Sequence, residues 1–177
     1  MKHTLIALIM LTNPAAAAST VYIDQVGNNN DIFVEQTGSD GNTAIILNQG
    51  DSNQLTLVQQ GDGAHTAFMG TVPTGMDGSA YVTNNNAQNN SNNNLAILQS
   101  GAGNHTAAIN LDSTVSNNNN TASITQTGDA NKSFVLNLSG SNIGATVVQD
   151  NLLTADRGSM SIQCYTGSCT GYSYVKH

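Results

Sequence analysis

Three of the four histidines, His65, His105 and His177, six of the eleven acids, Asp24, Asp31, Glu35, Asp40, Asp51 and Asp62, and a pair of cysteines are residues here that could do chemistry. A metal site needs such ligands to converge with recognisable spacing. Neither His-x-x-x-His, Cys-x-x-Cys, an EF-hand loop nor the calcium-binding G-G-x-G-x-D nonapeptide occurs. Asp40, Asp51 and Asp62 lie in Gly-rich stretches and read as turn residues, and no nucleophile is spaced to meet a base. The expectation is a protein that is not an enzyme, with no catalytic, cofactor-binding or metal-binding residues.

Side-chain amides are the other chemistry on offer. The chain holds 25 Asn and 11 Gln but only 8% charged residues, and many of these amides keep a fixed spacing. Ser19, Gln25, Asn30 and Gln36 follow Ser-x5-Gln-x4-Asn-x5-Gln. The same ruler fits Asn42, Asn48, Asn53 and Gln59, then Asn93, Gln99, Asn104 and Asn110, then Asn120, Gln126, Asn131 and Asn137. Its step, from Ser19 to Asn42, falls within the roughly 20 to 50 residues that mark a solenoid, whose units cannot bury an apolar face alone and must stack.

Between the marks, apolar residues alternate with others, as on a strand with one face inward. Val21 and Ile23, Ile32 and Val34, Ala44 and Ile46, Leu55 and Leu57, Leu95 and Ile97, and Ala122 and Ile124 take the inward phase, with amides at the strand ends. The unit Asn104, Thr106, Ala108, Asn110 is weaker. Tyr22, Phe33, Ile45, Leu47, Val58, Leu98, Phe134 and Leu136 then point outward, and a soluble monomer rarely tolerates a large apolar patch. Gly27, Gly50, Gly101 and Gly128, each two residues after an amide mark, supply the positive φ of a short turn. The expected fold is all-β, a β-solenoid of stacked strand-turn-strand rungs.

The pattern Ser-x5-Gln-x4-Asn-x5-Gln, its inward apolar residues, its Gly turns and wording such as ASITQTGDAN at Ala122 to Asn131 resemble the curlin repeat of the curli subunits, secreted bacterial functional amyloids. The resemblance covers about two thirds of the chain. It implies a β-solenoid, cross-β polymerisation into extracellular fibres at the bacterial surface, and a role in biofilm matrix and adhesion. Implied partners are further copies of this chain, other curli-type subunits and a curli secretion and assembly system. The Gly-rich segment that precedes the first repeat in the major curli subunit has no counterpart before Ser19, which leaves a major or a nucleator-like subunit open.

The ends differ from the repeats. Residues 1–18 read as a secretory signal peptide, with Lys2 and His3 basic, Leu5 to Leu11 apolar and Ala15 to Ala18 small. The apolar run is shorter than the about 20 residues of a membrane span. Repeats are expected over 19–151, with loop insertions near 71–92, where Ser79 to Thr83 could form a strand, and near 111–119. The first insertion is read as five residues beyond one step and the second as four. Over 152–177 a hairpin closed by Cys164 and Cys169 is expected, since a lone Cys pair in a secreted chain is normally a disulfide.

Formal net charge is −7, so phosphate contacts with nucleic acid, which need Lys and Arg, are not expected. The function expected is a self-assembling fibre subunit. The alternative is a monomeric secreted solenoid that acts as an adhesin or binds a surface. Growth would proceed by strand templating, because each solenoid end offers unpaired backbone groups and a row of amides satisfied only when stacked. The sixteen marks from Ser19 to Asn137 are the expected assembly ladder, and the Ser19 to Gln36 rung the expected docking face.

Overall fold

The structure, a computed structural model, describes residues 5–12, 19–38, 41–72, 90–112 and 114–177. Among the described residues thirteen strands follow in order: β1 (Leu5–Thr12), β2 (Thr20–Val26), β3 (Asn30–Thr37), β4 (Thr43–Gln49), β5 (Gln54–Gln60), β6 (Thr66–Val72), β7 (Asn94–Ser100), β8 (Thr106–Asp112), β9 (Thr121–Thr127), β10 (Lys132–Gly140), β11 (Ile143–Gln149), β12 (Asp156–Cys164) and β13 (Cys169–Lys176). There is no helix among the described residues.

Odd-numbered strands form one sheet in the order β1-β3-β5-β7-β9-β11-β13, and even-numbered ones a second, β12-β10-β8-β6-β4-β2. Every pairing is parallel. Each rung is thus one even strand and the odd strand after it, and the chain makes about six turns of a β-solenoid. Apolar residues of both inner faces, among them Ile32, Val34, Ile46, Leu57, Ile97, Ile109 and Ile124, merge into one continuous core. A smaller cluster of Ile45, Leu47, Phe68 and Ala108 packs in the opposite phase, on the outer face of the even sheet.

The second half of the ruler lies half a rung out of phase with the expectation. Gln-x4-Asn marks the turn inside a rung, whereas an interval of x5 marks the passage to the next. Asn93 precedes β7 and Gln99 lies near its end, and β7 continues the sheet of β5 and β3, so the two correspond to Asn53 and Gln59. The x5 interval after Gln99 and Gln126 brings His105 and Lys132 inward, while Asn104 and Asn131 are exposed. A slip of one residue flips every side chain on a strand. Ala107 and Ile109 therefore enter the core in place of Thr106 and Ala108, and Phe134 and Leu136, expected outside, are fully buried in it. Ile45 and Leu47, also expected outside, are buried too, but in the outer cluster.

Glycines correct in the same way. Gly27 and Gly50 turn the chain inside a rung, but Gly101 and Gly128 belong with Gly38 and Gly61 at the rung-to-rung corner, all with φ between 109° and 134°. A Cβ on Gly61 would lie 2.4 Å from the carbonyl oxygen of Gly101 in the rung above. Only glycine allows this corner to stack.

Thr43 stands against Thr66, one basic step on, but Thr66 stands against Thr106, a far longer step. The third rung therefore carries an insertion more than three times as long as the one read from the sequence. It falls between β6 and β7, and Ser79 to Thr83 lies outside the described residues, as does Asp40. In the fourth rung, Thr106 stands against Ser133, four residues beyond the step. Past Asn151 the repeat does not end in a hairpin: β12 pairs with β10 and β13 with β11, which makes a sixth rung. Leu5–Thr12 lies in register along β3, with Leu5 against Asn30 and Leu11 against Gln36.

Candidate functional site: amide ladders and the ends they leave

The inward glutamines of the odd strands stack into a ladder with a direction. Gln36 Nε2 donates to Gln59 Oε1 at 2.6 Å, Gln59 to Gln99 at 2.9 Å, Gln99 to Gln126 at 2.9 Å and Gln126 to Gln149 at 2.8 Å. The same Nε2 atoms donate across the rung to carbonyls of the even strands, Gln59 to Thr43, Gln99 to Thr66 and Gln126 to Thr106 at 3.0–3.1 Å. An amide has two N–H donors, and here one ties the two sheets while the other ties successive rungs. Chains of this kind in a low-dielectric interior polarise one another and are costly to leave half-made.

A second ladder runs through the asparagines that precede or open the same strands. Asn30, Asn53, Asn93 and Asn120 each use Oδ1 to accept the backbone N–H of the residue one rung later, Asn53, Asn93, Asn120 and Ile143, at 2.9–3.0 Å. Their Nδ2 groups donate to carbonyls in the next rung's turn, on Gly50, Asn90, Asn117 and Gly140, at 2.8–3.0 Å. Asn90 and Asn117, which the ruler omits, repeat the arrangement at the corner, with Asn117 Nδ2 and N both on Asn90 Oδ1 at 3.1 Å.

Opposite the glutamines, the starts of the even strands make a column of unlike residues: Ser19, Asn42, His65, His105, Lys132 and Asp156. The rings of His65 and His105 stack with centroids 4.9 Å apart, and their Nε2 atoms lie 3.0 and 3.1 Å from the carbonyls of Gln60 and Ser100. A stack of two charged imidazoles is unfavourable, and burial pushes His105 down to about 4. Lys132 is fully buried, its Nζ donating to the carbonyls of Asn151 and Thr154 at 2.6 and 2.7 Å. Neither Lys132 nor Asp156 repeats an amide mark, which is why the ruler passes over them.

Of the sixteen marks, Asn30, Gln36, Asn53, Gln59, Asn93, Gln99, Asn120 and Gln126 make the two ladders. Asn42 and Asn48 are buried in the even strands, Asn42 Oδ1 accepting from His65 N at 3.0 Å and Asn48 Oδ1 from Asn53 Nδ2 at 3.1 Å. Ser19 and Gln25 are half-buried, and Gln25 turns its amide to the carbonyl of Gly27 at 2.8 Å. Asn110 and Asn137 bond to each other at 2.8 Å on the outer face, and Asn104 and Asn131 bond backbone N–H groups at the surface.

The two ends are finished differently. At the last rung, Gln149 Nε2 donates to Asp156 Oδ2 at 2.7 Å, Lys176 Nζ reaches Oδ1 at 3.0 Å and Tyr174 adds its hydroxyl at 3.2 Å. A disulfide joins Cys164 to Cys169 across the turn of that rung, with Cα atoms 6.0 Å apart. At the first rung, Gln36 Oε1 is buried and has no partner among the described residues, as does Asn42 Nδ2 one rung on. No group of three or more potential metal ligands occurs among the described residues, and no described helix is long and apolar enough to cross a membrane.

Stacked parallel rungs tied by asparagine and glutamine rows define a β-solenoid of the amide-ladder kind. Residues 18–38, which span β2, its turn and β3, match the family model of the Curlin associated repeat. None of the curated proteins and none of the solved structures matches the chain.

Proposed function

We propose that this chain is a secreted structural subunit that assembles with copies of itself, head to tail, into extracellular curli-like amyloid fibres that serve biofilm matrix and adhesion. The observation that carries the reading is the unbroken glutamine ladder from Gln36 to Gln149, which runs in one direction through parallel, in-register strands as an amide row does in cross-β assemblies, with one unfilled acceptor at its start. The curlin-type repeat at residues 18–38 supports the same class of subunit. A heterologous contact between unlike ends does not close, so it yields filaments. Other curli-type subunits and a curli secretion system are the partners, and residues 1–18 serve as the export signal. The test is incubation of the purified protein freed of its leader: filaments with a cross-β reflection at about 4.8 Å support the reading, and a chain that stays monomeric at high concentration overturns it in favour of a monomeric surface binder.

A further inference from the structure

We infer that successive copies join with Lys176 of one donating to Gln36 of the next, in the place that β1 holds within a single chain. This rests on the self-assembly proposed above and supplies the chemistry of its joint.

Every link of the glutamine ladder donates toward the C-terminal end, so its first member lacks a donor from the rung before. Gln36 Oε1 is that acceptor; the residue is only 2% exposed and the atom has no partner among the described residues. Along the same column each rung carries glutamine until the last, where β13 places Lys176 in register with Gln149. Lysine donates but cannot accept. It therefore cannot receive from Gln149, which turns to Asp156 instead, but it keeps donors to spare. Its side chain is 51% exposed, with one contact to Asp156.

If the parallel pairing simply continues past β13, Lys176 falls beside Gln36 of the next copy, Val175 beside Glu35, and β12 beside β2. Charge favours this joint over its inverse. β2 and β3 carry Asp24, Asp31 and Glu35 with no base, while the last rung carries Arg157 and Lys176 against the single acid Asp156. Two first rungs face to face would bring only acids together. Within one chain, β1 occupies the edge of β3, and the residue it sets in register with Gln36 is Leu11, a residue type with no side-chain donor. Among the described residues β1 has no counterpart beside β2, so it covers the β3 half of the docking edge while leaving the ladder's acceptor unfilled.

The test places cysteines on the outer face, where they disturb neither ladder. Full chain carrying Glu35→Cys and Val175→Cys is compared before and after cleavage by signal peptidase, beside a pair two residues out of register, Phe33→Cys with Val175→Cys. After cleavage, mild oxidation of the filaments should give covalent oligomers from the 35–175 pair and several-fold fewer from the 33–175 pair; the uncleaved chain should give few from either. Lys176→Met should slow elongation about tenfold, the effect of losing a charge-assisted hydrogen bond, and Lys176→Gln, which keeps an N–H donor, should recover most of it. Circular dichroism of the monomers checks that the fold survives. Filaments that link both pairs equally, that fail to link 35 to 175, or that form and link as fast from uncleaved chain overturn the joint while leaving self-assembly standing. If the cleaved wild-type protein forms no filaments at all, self-assembly falls and the joint with it.

Discussion

Gln149 Nε2 lies 2.7 Å from Asp156 Oδ2, so a row of neutral amides ends on a carboxylate drawn from the opposite sheet. Burial alone would raise the Asp156 pKa, but the hydrogen bonds from Gln149 and Lys176, the Lys176 charge and the Tyr174 hydroxyl outweigh it and hold the group below its usual value. A carboxyl whose folded pKa is depressed stabilises fully above its unfolded pKa of about 3.9 and loses that contribution as pH falls through the lower folded value. Asp156→Ala should cost about 1–3 kcal/mol at neutral pH, since it strands the Gln149 donor in the interior. Urea unfolding at pH 7 and near pH 3 should show the gap between wild type and variant closing in acid.

His105 acts in the same direction on the acid side, but at higher pH. Burial, more than anything else, pushes it down to about 4; the Ser100 carbonyl opposes this, and the charges of His65 and Lys132 add to the fall. The unfolded state then takes up a proton near pH 6.5 that the folded state refuses until about 4. Stability from a neutral His105 is complete above about pH 6.5 and declines as pH drops toward 4, by at most about 1.4 kcal/mol per pH unit. His105→Asn, which places in this column the residue found at Asn42, should flatten that slope in thermal melts between pH 7 and 4.

Much of this architecture was legible because its cause is local. Alternation of Ile32 and Val34 between Asn30 and Gln36 dictates a strand with amide ends, and recurrence of the marks at the Ser19 to Asn42 step dictates stacking. Phase was not legible to the same degree: Gln99 to Asn104 copies the Gln25 to Asn30 spacing, yet the inward residue is His105, and only the sheet to which β7 belongs separates the two possibilities. Lys132 and Asp156 escaped for a different reason. Their partners are backbone carbonyls of the 151–154 turn and a glutamine of the opposite sheet, contacts that the stacked fold creates and no spacing announces. The sixth rung was read as a hairpin because the amide marks disappear there, while its pairing with β10 and β11 persists.

At the rung-to-rung corner, Gly61→Ala should be among the most damaging single changes that remove no contact. The new Cβ would sit 2.4 Å from a backbone oxygen that cannot swing aside, at φ of 109°. Gly167→Ala offers a comparison, since its φ of 85° is also positive but nothing lies within 4 Å of the new atom. Backbone strain alone costs on the order of 1–3 kcal/mol; Gly61→Ala should exceed Gly167→Ala in chemical denaturation by the price of separating two rungs. Equal losses would show that the corner is not close-stacked.

The half-rung phase has its own test in Gln99 and Asn131, two amides that the spacing alone treats as equivalent. Gln99 is completely buried, donates to both Gln126 and Thr66 and accepts from Gln59. Asn131 is exposed, and its Oδ1 accepts from Asn104 N where water can replace it. Gln99→Leu should therefore leave one N–H of Gln59 without an acceptor and Gln126 Oε1 without a donor in a dry interior, at about 1–3 kcal/mol for each group left unmet. Asn131→Ala should fall near the about 0.5 kcal/mol typical of surface substitutions. The neighbouring change, Lys132→Ala, should behave like the interior, because it empties a fully buried position and frees the carbonyls of Asn151 and Thr154. Measured by urea unfolding, the order of loss should be Gln99→Leu and Lys132→Ala well above Asn131→Ala; if Asn131→Ala matched Gln99→Leu while Lys132→Ala were neutral, β10 would face the other way.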